Sequence, residues 1–251
     1  MFFKKRIIKK FKEKLIKIKH FNNLKLSEQK TEFSKILNHD IKTALLAQSN
    51  CLELFLKGRF GKIPPLQKEI LAQILSSNKF LTEIINNAIF LNDIDKKTAN
   101  LNYEKVDMVN QTEFCLESIR QSAKDKEQNI VFNPPEYKIN LNCDKKLIRK
   151  IIENLLAGSV SYGYEKSDII VSIEENAGKI QFKAKNKSVY MSKEKLNAIF
   201  ESDKTNCDFN QLGMKLNLNV AKKLIKAHNW DFIATSDREE NTSTFGFAVK
   251  K

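Results

Sequence analysis

Apolar residues recur at helical spacing from Thr31 to Ile94, in two stretches separated by the segment KGRFGKIPP at 57–65. Each stretch carries one apolar stripe: Leu37, Ile41, Leu45, Leu52 and Phe55 in the first, and Ile70, Ile74, Leu81, Ile84, Ala88 and Leu91 in the second. The two glycines and two prolines of the break end one helix and start the next. Two long helices with a short connection predict an antiparallel hairpin. Because a lone hairpin cannot cover its own stripe, we expect two copies to pair as a dimeric four-helix bundle.

The sequence pattern changes in residues 101–251, where predicted short strands alternate with predicted helices. The predicted strands are Tyr103–Met108, Ile130–Asn133, Ile139–Cys143, Ile169–Glu174, Lys179–Lys185, Phe232–Thr235 and Thr244–Val249. The predicted helices are Val109–Lys126, Asp144–Val160, Ser192–Phe200 and Met214–His228. This mixture predicts an α+β fold, an α/β sandwich in which the helices pack on one face of the sheet.

The net charge of +14 is concentrated in a basic N-terminal arm, residues 1–30. Residues 1–20 alone hold nine Lys or Arg and one acidic residue, which is +8 and leaves +6 for the other 231 residues. Because the excess lies in one arm, and no aromatic-basic groove is visible elsewhere, the pattern argues against a nucleic-acid partner. Apolar residues at steps of three and four give the arm one stripe: Phe3, Ile7, Phe11, Leu15 and Ile18. Such a helix either lies on an anionic membrane surface or leads into the next helix as a coiled coil, and the pattern leaves both open.

The cysteines indicate a reducing compartment. Cys51, Cys115, Cys143 and Cys207 are widely separated and form no C-x-x-C pair. We therefore expect a cytoplasmic protein, peripheral at the membrane if the arm binds lipid, without a thiolate metal site. No stretch approaches the ~18 uninterrupted apolar residues of a spanning helix, and none resembles a signal-peptide core.

A histidine stands beside an aspartate early in the first helical stretch, at His39 and Asp40. A carboxylate can accept the Nδ1–H of an imidazole and so leave Nε2 as the free nucleophile. Thr43 is four residues from His39 and therefore shares its helix face, where a hydroxyl can position a water for attack on a phosphoryl group. An isolated His-Asp pair is more often an ordinary surface or core histidine, so the surrounding sequence has to decide.

The whole segment 37–95 resembles the dimerisation and phosphoacceptor hairpin of sensor histidine kinases. The shared features are the H-D-x-x-T motif at 39–43, the glycine-containing loop, and a glutamine and a glutamate that open the second helix. The resemblance extends the hairpin over 31–95, implies a homodimer, and implies that His39 is phosphorylated with Asp40 as its acid/base partner. Thr43 would dephosphorylate a partner, the receiver domain of a response regulator. One departure is Ala44, where the family usually has a proline that kinks the helix.

Residues 101–251 resemble the family's ATP-binding domain, of the histidine kinase ATPase (GHKL) type. The stretch DKKLIRKIIENLLAGSVSYGYEKSDIIVSI looks like the helix and strand that carry the N box, with Asn154 as its first asparagine. SKEKLNAIFES looks like the lead into the phenylalanine box, and LNVAKKLIKAHNWDFIATS with NTSTFGFAV looks like the last helix and closing strands. The resemblance implies ATP and Mg²⁺ as cofactors.

The motifs of this domain are degenerate. Gly158 stands where the family has the asparagine that coordinates Mg²⁺, and Asn186 stands where it has the aspartate that reads adenine. Of the glycines in the family's phosphate-binding loop only Gly213 remains, and Lys215 and Asn217 replace the other two. Lys215 either offers a charge to a phosphate or is an ordinary solvated lysine. Since phosphoryl transfer from ATP depends on the metal and on backbone donors, we expect these changes to remove most of it.

The sequence thus predicts a two-component signalling protein of the histidine kinase type, a phosphotransferase whose His39 exchanges a phosphoryl group with a regulator's aspartate. Two alternatives stay open: an ATP-dependent sensor kinase that tolerates the altered motifs, and a dimeric scaffold that docks regulators without covalent chemistry.

Overall fold

The structure is a computed structural model that describes residues 36–94, 98, 100–200 and 209–250. The basic arm predicted at 1–30, the first residues of the predicted hairpin and Cys207 lie outside the described residues. The chain divides into two compact units between Asn92 and Asp93. None of the helices in the described part of the chain is long and apolar enough to cross a membrane.

The described residues of the first unit, 36–92, form two long helices, which we call the hairpin together with their connection. A π-helical turn at Ile36–Ile41 leads into α1, Lys42–Leu56, and α2 follows at Pro65–Asn92. The amides of residues 57–59 close the end of α1 by bonding carbonyls of residues 53–55. Gly58 and Gly61 have φ of +72° and +110°, conformations that a side chain would disfavour, which is why the connection needs glycine.

Polar contacts fix one helix of the hairpin against the other. Asn78 of α2 donates from Nδ2 to the backbone oxygen of Leu45 at 2.9 Å and to Ser49 Oγ at 3.0 Å. Lys79 Nζ lies 2.9 Å from Glu53 Oε1. Several residues of the predicted apolar stripes remain well exposed in the single chain, with exposed fractions of 38–49%: Ile41, Phe55, Ile70 and Ile74. The hairpin therefore leaves apolar surface that its own helices do not cover.

The second unit is built on a mixed β-sheet. The strands are β1 Tyr103–Asp107, β2 Asn129–Phe132, β3 Asn140–Asp144, β4 Asp168–Asn176, β5 Lys179–Lys187, β6 Asp231–Asp237 and β7 Thr242–Lys250. Five of them form one sheet of order β2-β4-β5-β7-β6, in which β2 and β4 are parallel and the other neighbouring pairs are antiparallel. A separate antiparallel pair joins β1 and β3. The helices are α3 Met108–Asp125, α4 Lys145–Tyr162, α5 Lys193–Phe200 and α6 Phe209–Ala227. The mixed sheet with its helices confirms the predicted α+β fold.

The core of this unit lies under one face of the sheet. Residues of β4 and β5 alternate between buried and more exposed, as expected for strands with one covered face. Helix α4 begins at the N-cap Asp144, whose carboxylate accepts the amides of Lys146 and Leu147, and its paired apolar residues are buried. Helix α6 buries a row of residues against α4: Leu218, Val220, Ala221, Leu224 and Ile225.

The start predicted for the last helix is wrong. Sequence reasoning placed it at Met214, after a glycine-containing loop, but α6 begins at Phe209 and runs through Gly213. A single glycine weakens a helix by only about 1 kcal/mol relative to alanine. With the other two loop glycines replaced by Lys215 and Asn217, nothing in this stretch stops the helix from extending towards its N-terminus.

Candidate functional site

His39 lies on the exposed surface of the hairpin with its ring oriented by Asp40. Its Nδ1 is 2.9 Å from Asp40 Oδ1, and the two side chains are 83% and 67% exposed. An ionised carboxylate can only accept hydrogen bonds, so this contact places the proton of the neutral imidazole on Nδ1 and leaves the lone pair of Nε2 free. The side chain offers an accessible nitrogen nucleophile to a partner.

The backbone around His39 is irregular. The π-helical turn Ile36–Ile41 carries the histidine, and regular α-helix begins at Lys42, so Ala44 lies in an uninterrupted helix. Turns of this kind occur frequently at functional sites, because the extra residue displaces side chains from their regular α-helical positions. Thr43 is exposed one turn further along, on the regular part of α1.

The second group of predicted site residues lies in the other unit, where Asn154 is buried in α4. Its Nδ2 donates to the Lys150 carbonyl at 2.7 Å, and its Oδ1 has no hydrogen-bond partner among the residues that the structure describes. One turn further along α4, Gly158 faces Leu218 of α6. A Cβ added at Gly158 would lie 2.7 Å from Leu218 Cδ2 and 3.0 Å from Leu218 Cγ. Leu218 thus takes the space that a side chain at Gly158 would need.

Asn186 is buried in β5 beside the end of α4. Within the described part of the chain, its Oδ1 has no hydrogen-bond partner, and its Nδ2 makes a long contact of 3.4 Å with the Lys187 carbonyl. A Cβ placed on Gly163 would lie 3.4 Å from Asn186 Nδ2 and 2.9 Å from Gln128 Nε2, so these two amides are neighbours. The Oε1 of Gln128 also lacks a partner among these described residues. The group presents unused acceptors, which an exocyclic amine or a water could satisfy.

Gly213 and Lys215 lie within α6, where sequence reasoning expected a loop. At both positions the backbone N–H points along the helix to the carbonyl four residues earlier and is not available to a phosphate. Gly213 is buried and Lys215 is partly exposed. Among the residues that the structure describes, no group of three His, Cys, Asp or Glu side chains could hold a metal ion.

The comparisons identify the class of the second unit. Residues 143–251 match the family described as histidine kinase-, DNA gyrase B- and HSP90-like ATPase. The full-length histidine kinase ShkA, solved with AMPPNP, has a similar fold. The match covers 88% of this chain and 45% of the ShkA chain, with a TM-score of 0.61 and 16% identity. The unit therefore has the fold of that class of ATPase domain.

Longer similarities reach the hairpin as well. The sensor histidine kinase WalK of Bacillus subtilis (strain 168) is 23% identical over 241 residues, 90% of this chain and 38% of its own length. The histidine kinase ThkA, solved in complex with the response regulator protein TrrA, also has a similar fold. The match covers 91% of this chain and 66% of the solved chain, with a TM-score of 0.55 and 14% identity. Along most of its length the chain is thus similar to sensor histidine kinases. It spans 38%, 36% and 44% of the lengths of three curated relatives, less than half in each case.

Sequence reasoning did not single out three residues that the structure places at these sites. Asn78 and Ser49 connect the two helices next to the segment that carries His39, and Leu218 fills the space at Gly158. Asn78 had a detectable signal, because it follows Ile74 by four residues and precedes Leu81 by three, and so is a polar residue on the apolar stripe. Leu218 had none, since a leucine in a helix is the commonest kind of core residue.

Proposed function

We propose that the chain is a two-component signalling protein in which His39 carries a phosphoryl group exchanged with the aspartate of a response regulator's receiver domain. The observation that carries the proposal is the exposed imidazole with its Nδ1 held 2.9 Å from Asp40 Oδ1, in a chain that is similar to sensor histidine kinases. The solved complex of ThkA with the regulator TrrA supports a regulator as the partner.

The chemistry needs only groups that the hairpin and a regulator supply. Nε2 of His39 attacks the phosphorus of the aspartyl phosphate, the P–O bond to the carboxyl group breaks, and a P–N bond forms. The aspartate leaves as a carboxylate, while Asp40 stabilises the positive charge that develops on the imidazole. The reverse sequence returns the group to a regulator. Thr43, exposed one turn away, orients a water towards the regulator's phosphoryl group in the competing dephosphorylation.

We propose further that ATP is not the main phosphoryl donor. Mg²⁺ takes oxygen ligands, and Gly158 has no side chain to provide one and no room for it beside Leu218. A triphosphate is held largely by free backbone amides, and the amides at 213 and 215 belong to helix α6. The polyphosphate and its metal therefore do not fit this unit, and no step of the proposed reaction passes through them.

One observation favours the alternative of an ATP-dependent sensor kinase. Asn154 and Asn186 both keep a buried oxygen that has no partner among the described residues, at positions where sensor histidine kinases contact nucleotide, and ShkA was solved with a nucleotide analogue. Asn186 Oδ1 can accept from a purine amino group, so the base end of the site remains chemically suitable. Gly213 and Lys215 add no comparable support.

The exposed apolar residues of the hairpin support a homodimer. Ile70 and Ile74 on α2 are about half exposed in the single chain, on the stripe that a bundle would bury. A second copy of the hairpin covers this surface in a four-helix bundle. The protein acts in the cytoplasm, and the basic arm provides contact with anionic lipid headgroups.

The test uses the full chain and receiver domains from the same organism, charged with ³²P-labelled acetyl phosphate. We expect label to move from one receiver to the wild-type chain and not to the His39→Gln variant. Thr43→Ala should still take up label but should slow the loss of phosphate from the receiver. A chain that takes label from MgATP on His39 would instead establish the sensor kinase, and a chain inert with every receiver and with MgATP would exclude both.

A further inference from the structure

The hairpin contains a buried polar contact that the proposed chemistry does not use. Asn78 is only 5% exposed and Ser49 only 8%, so both polar side chains are buried between the two helices. Asn78 Nδ2 uses its two hydrogens on two different acceptors of α1, the Leu45 carbonyl and Ser49 Oγ. Its donor capacity is therefore fully satisfied, as a buried amide requires.

The contact lies directly after the irregular turn that carries His39. The π-helical turn ends at Ile41, and the Leu45 carbonyl that accepts from Asn78 follows four residues later. Along α1 the chain thus passes from an irregular turn to a point that is fixed against α2. The position of the segment 36–41 relative to α2 is therefore set by the residues that follow it, from Leu45 onwards.

The geometry of the two bonds restricts both sliding and rotation of α1. A shift of α1 by one residue translates it by about 1.5 Å and turns it by about 100°. Either movement takes the Leu45 carbonyl and Ser49 Oγ away from Asn78 and leaves a buried amide unpaired. Apolar residues on the same stripe, such as Ile74 and Leu81, tolerate alternative registers much better, because apolar contacts have no direction.

We propose that Asn78 is a positioning residue for His39: it fixes the register of α1 on α2 immediately below the turn, so that the imidazole stands at a constant height and direction on the hairpin. This inference rests on the proposed phosphoryl transfer to His39. Single buried polar residues fix register in paired helices in the same way, and apolar replacements there are often as stable while specifying the structure less well.

The test measures transfer of ³²P to His39 from a receiver domain charged with labelled acetyl phosphate, because a donor docked on the hairpin presents its phosphorus at a fixed position. In the full chain, Asn78→Leu should lower the transfer rate at saturating receiver by at least about tenfold, with little change in the receiver concentration that gives half the maximal rate, because a displacement of about 1 Å misorients the nucleophile towards a docked phosphorus. Phosphoramidate, a small donor that does not dock, should label both proteins at similar rates: Nε2 displaces ammonia from phosphorus, so one P–N bond breaks and another forms. The thermal unfolding of the variant should remain close to that of the wild type.

Thr82→Val is the matched control. Its hydroxyl donates to the carbonyl of Asn78 within α2, so this variant keeps both side-chain bonds from Asn78 to α1 and should react like the wild type. If wild-type His39 takes no label, the proposed function fails; if the wild type reacts and Asn78→Leu reacts equally fast, only the positioning role fails. Hydrogen exchange on the wild type needs no variant: amides at 45–49 should exchange at least about tenfold more slowly than those at 39–41, and equal protection would overturn the proposal.

Discussion

The packing of Leu218 against Gly158 predicts a coupling between the two residues that a double-mutant cycle measures. An alanine at Gly158 would gain about 1 kcal/mol from helix propensity, since α4 would lose an interior glycine. The new Cβ would lie 2.7 Å from Leu218 Cδ2, and Leu218 is fully buried and cannot move freely. Overpacking of this kind costs about 1–3 kcal/mol. The net expectation for Gly158→Ala is a loss of about 0–2 kcal/mol in the free energy of unfolding.

The same substitution at Gly158 can be made in a Leu218→Ala background, in which the side chain that opposes the new Cβ is shortened. Leu218→Ala alone should lower the free energy of unfolding by about 2–5 kcal/mol, because it leaves a cavity in the core. In that background the Cβ at Gly158 meets open space, so Gly158→Ala should stabilise the protein by about 1 kcal/mol. The effect of the same substitution therefore changes sign, and the interaction energy of the pair is about 1–3 kcal/mol.

Urea unfolding followed by tryptophan fluorescence is the assay. Trp230 is the chain's single tryptophan, and it stacks on Phe247 with ring centroids 5.2 Å apart, so its emission reports on the second unit alone. Ala157→Gly, one residue earlier in α4 at a partly exposed position, measures the helix propensity term. An interaction energy below about 0.5 kcal/mol, or a stabilising Gly158→Ala in the wild-type background, would refute the reasoning.

The asparagine that the resemblance to sensor histidine kinases implies at Gly158 can be introduced to test whether the packing of Leu218 prevents MgATP from binding. An asparagine at Gly158 is larger than alanine and meets the same leucine, so Gly158→Asn should destabilise the unit at least as strongly as Gly158→Ala. Calorimetric titration with MgATP should show no gain in affinity over the wild type. A variant that bound MgATP tightly would mean that Leu218 moves aside readily and that the closed packing does not decide nucleotide binding.

Three further predictions concern pH, capping and assembly. Burial lowers the pKa of His228 below its ordinary value of 6.5, so on acidification the unfolded chain takes up a proton at this residue at a higher pH than the folded chain does. The free energy of unfolding should therefore be constant above about pH 6.5 and fall below it. His228→Phe should remove this pH dependence in urea titrations at pH 7.5 and 5.5. The Asp107 carboxylate accepts the amides of Val109 and Asn110 at the start of α3, so Asp107→Ala should lower the free energy of unfolding by about 0.5–2 kcal/mol, whereas no change in the urea midpoint would show that water replaces the cap. Ile74→Asp places a charge on the exposed apolar stripe and should convert a dimer to a monomer in sedimentation equilibrium, and a variant that still dimerises would move the interface elsewhere.

The regular elements of both units were predictable from local pattern. The two helices of the hairpin follow from apolar spacing and from the glycines and prolines at 57–65, because such residues act within a few positions of the chain. The start of α4 at Asp144 was predictable for the same reason, since an N-cap bonds amides two and three residues away. The roles of His39, Asp40 and Thr43, the nucleotide-site roles and the boundaries of the domains stay predictions.

The extension of α6 shows where local reasoning failed. A glycine at 213 was read as part of a loop because the related motif is a loop, but the residues that follow it form a helix as readily as any others. Whether this stretch is helical depends on the row from Leu218 to Ile225, which is buried against α4 far away in the sequence. Tertiary packing commonly overrides a weak local preference of this size.

The sequence by itself determined the hairpin pattern, the α+β order of elements and the position of the His39–Asp40 pair, because each of these depends on residue type and short spacing. Only the tertiary structure decided that Leu218 fills the space at Gly158, that Gly213 and Lys215 lie in a helix, and that Asn78 bonds α1 beside the turn of His39. The contacts of Leu218 and Asn78 join residues 29 to 60 positions apart, and short-range spacing carries no information about which distant surfaces will meet.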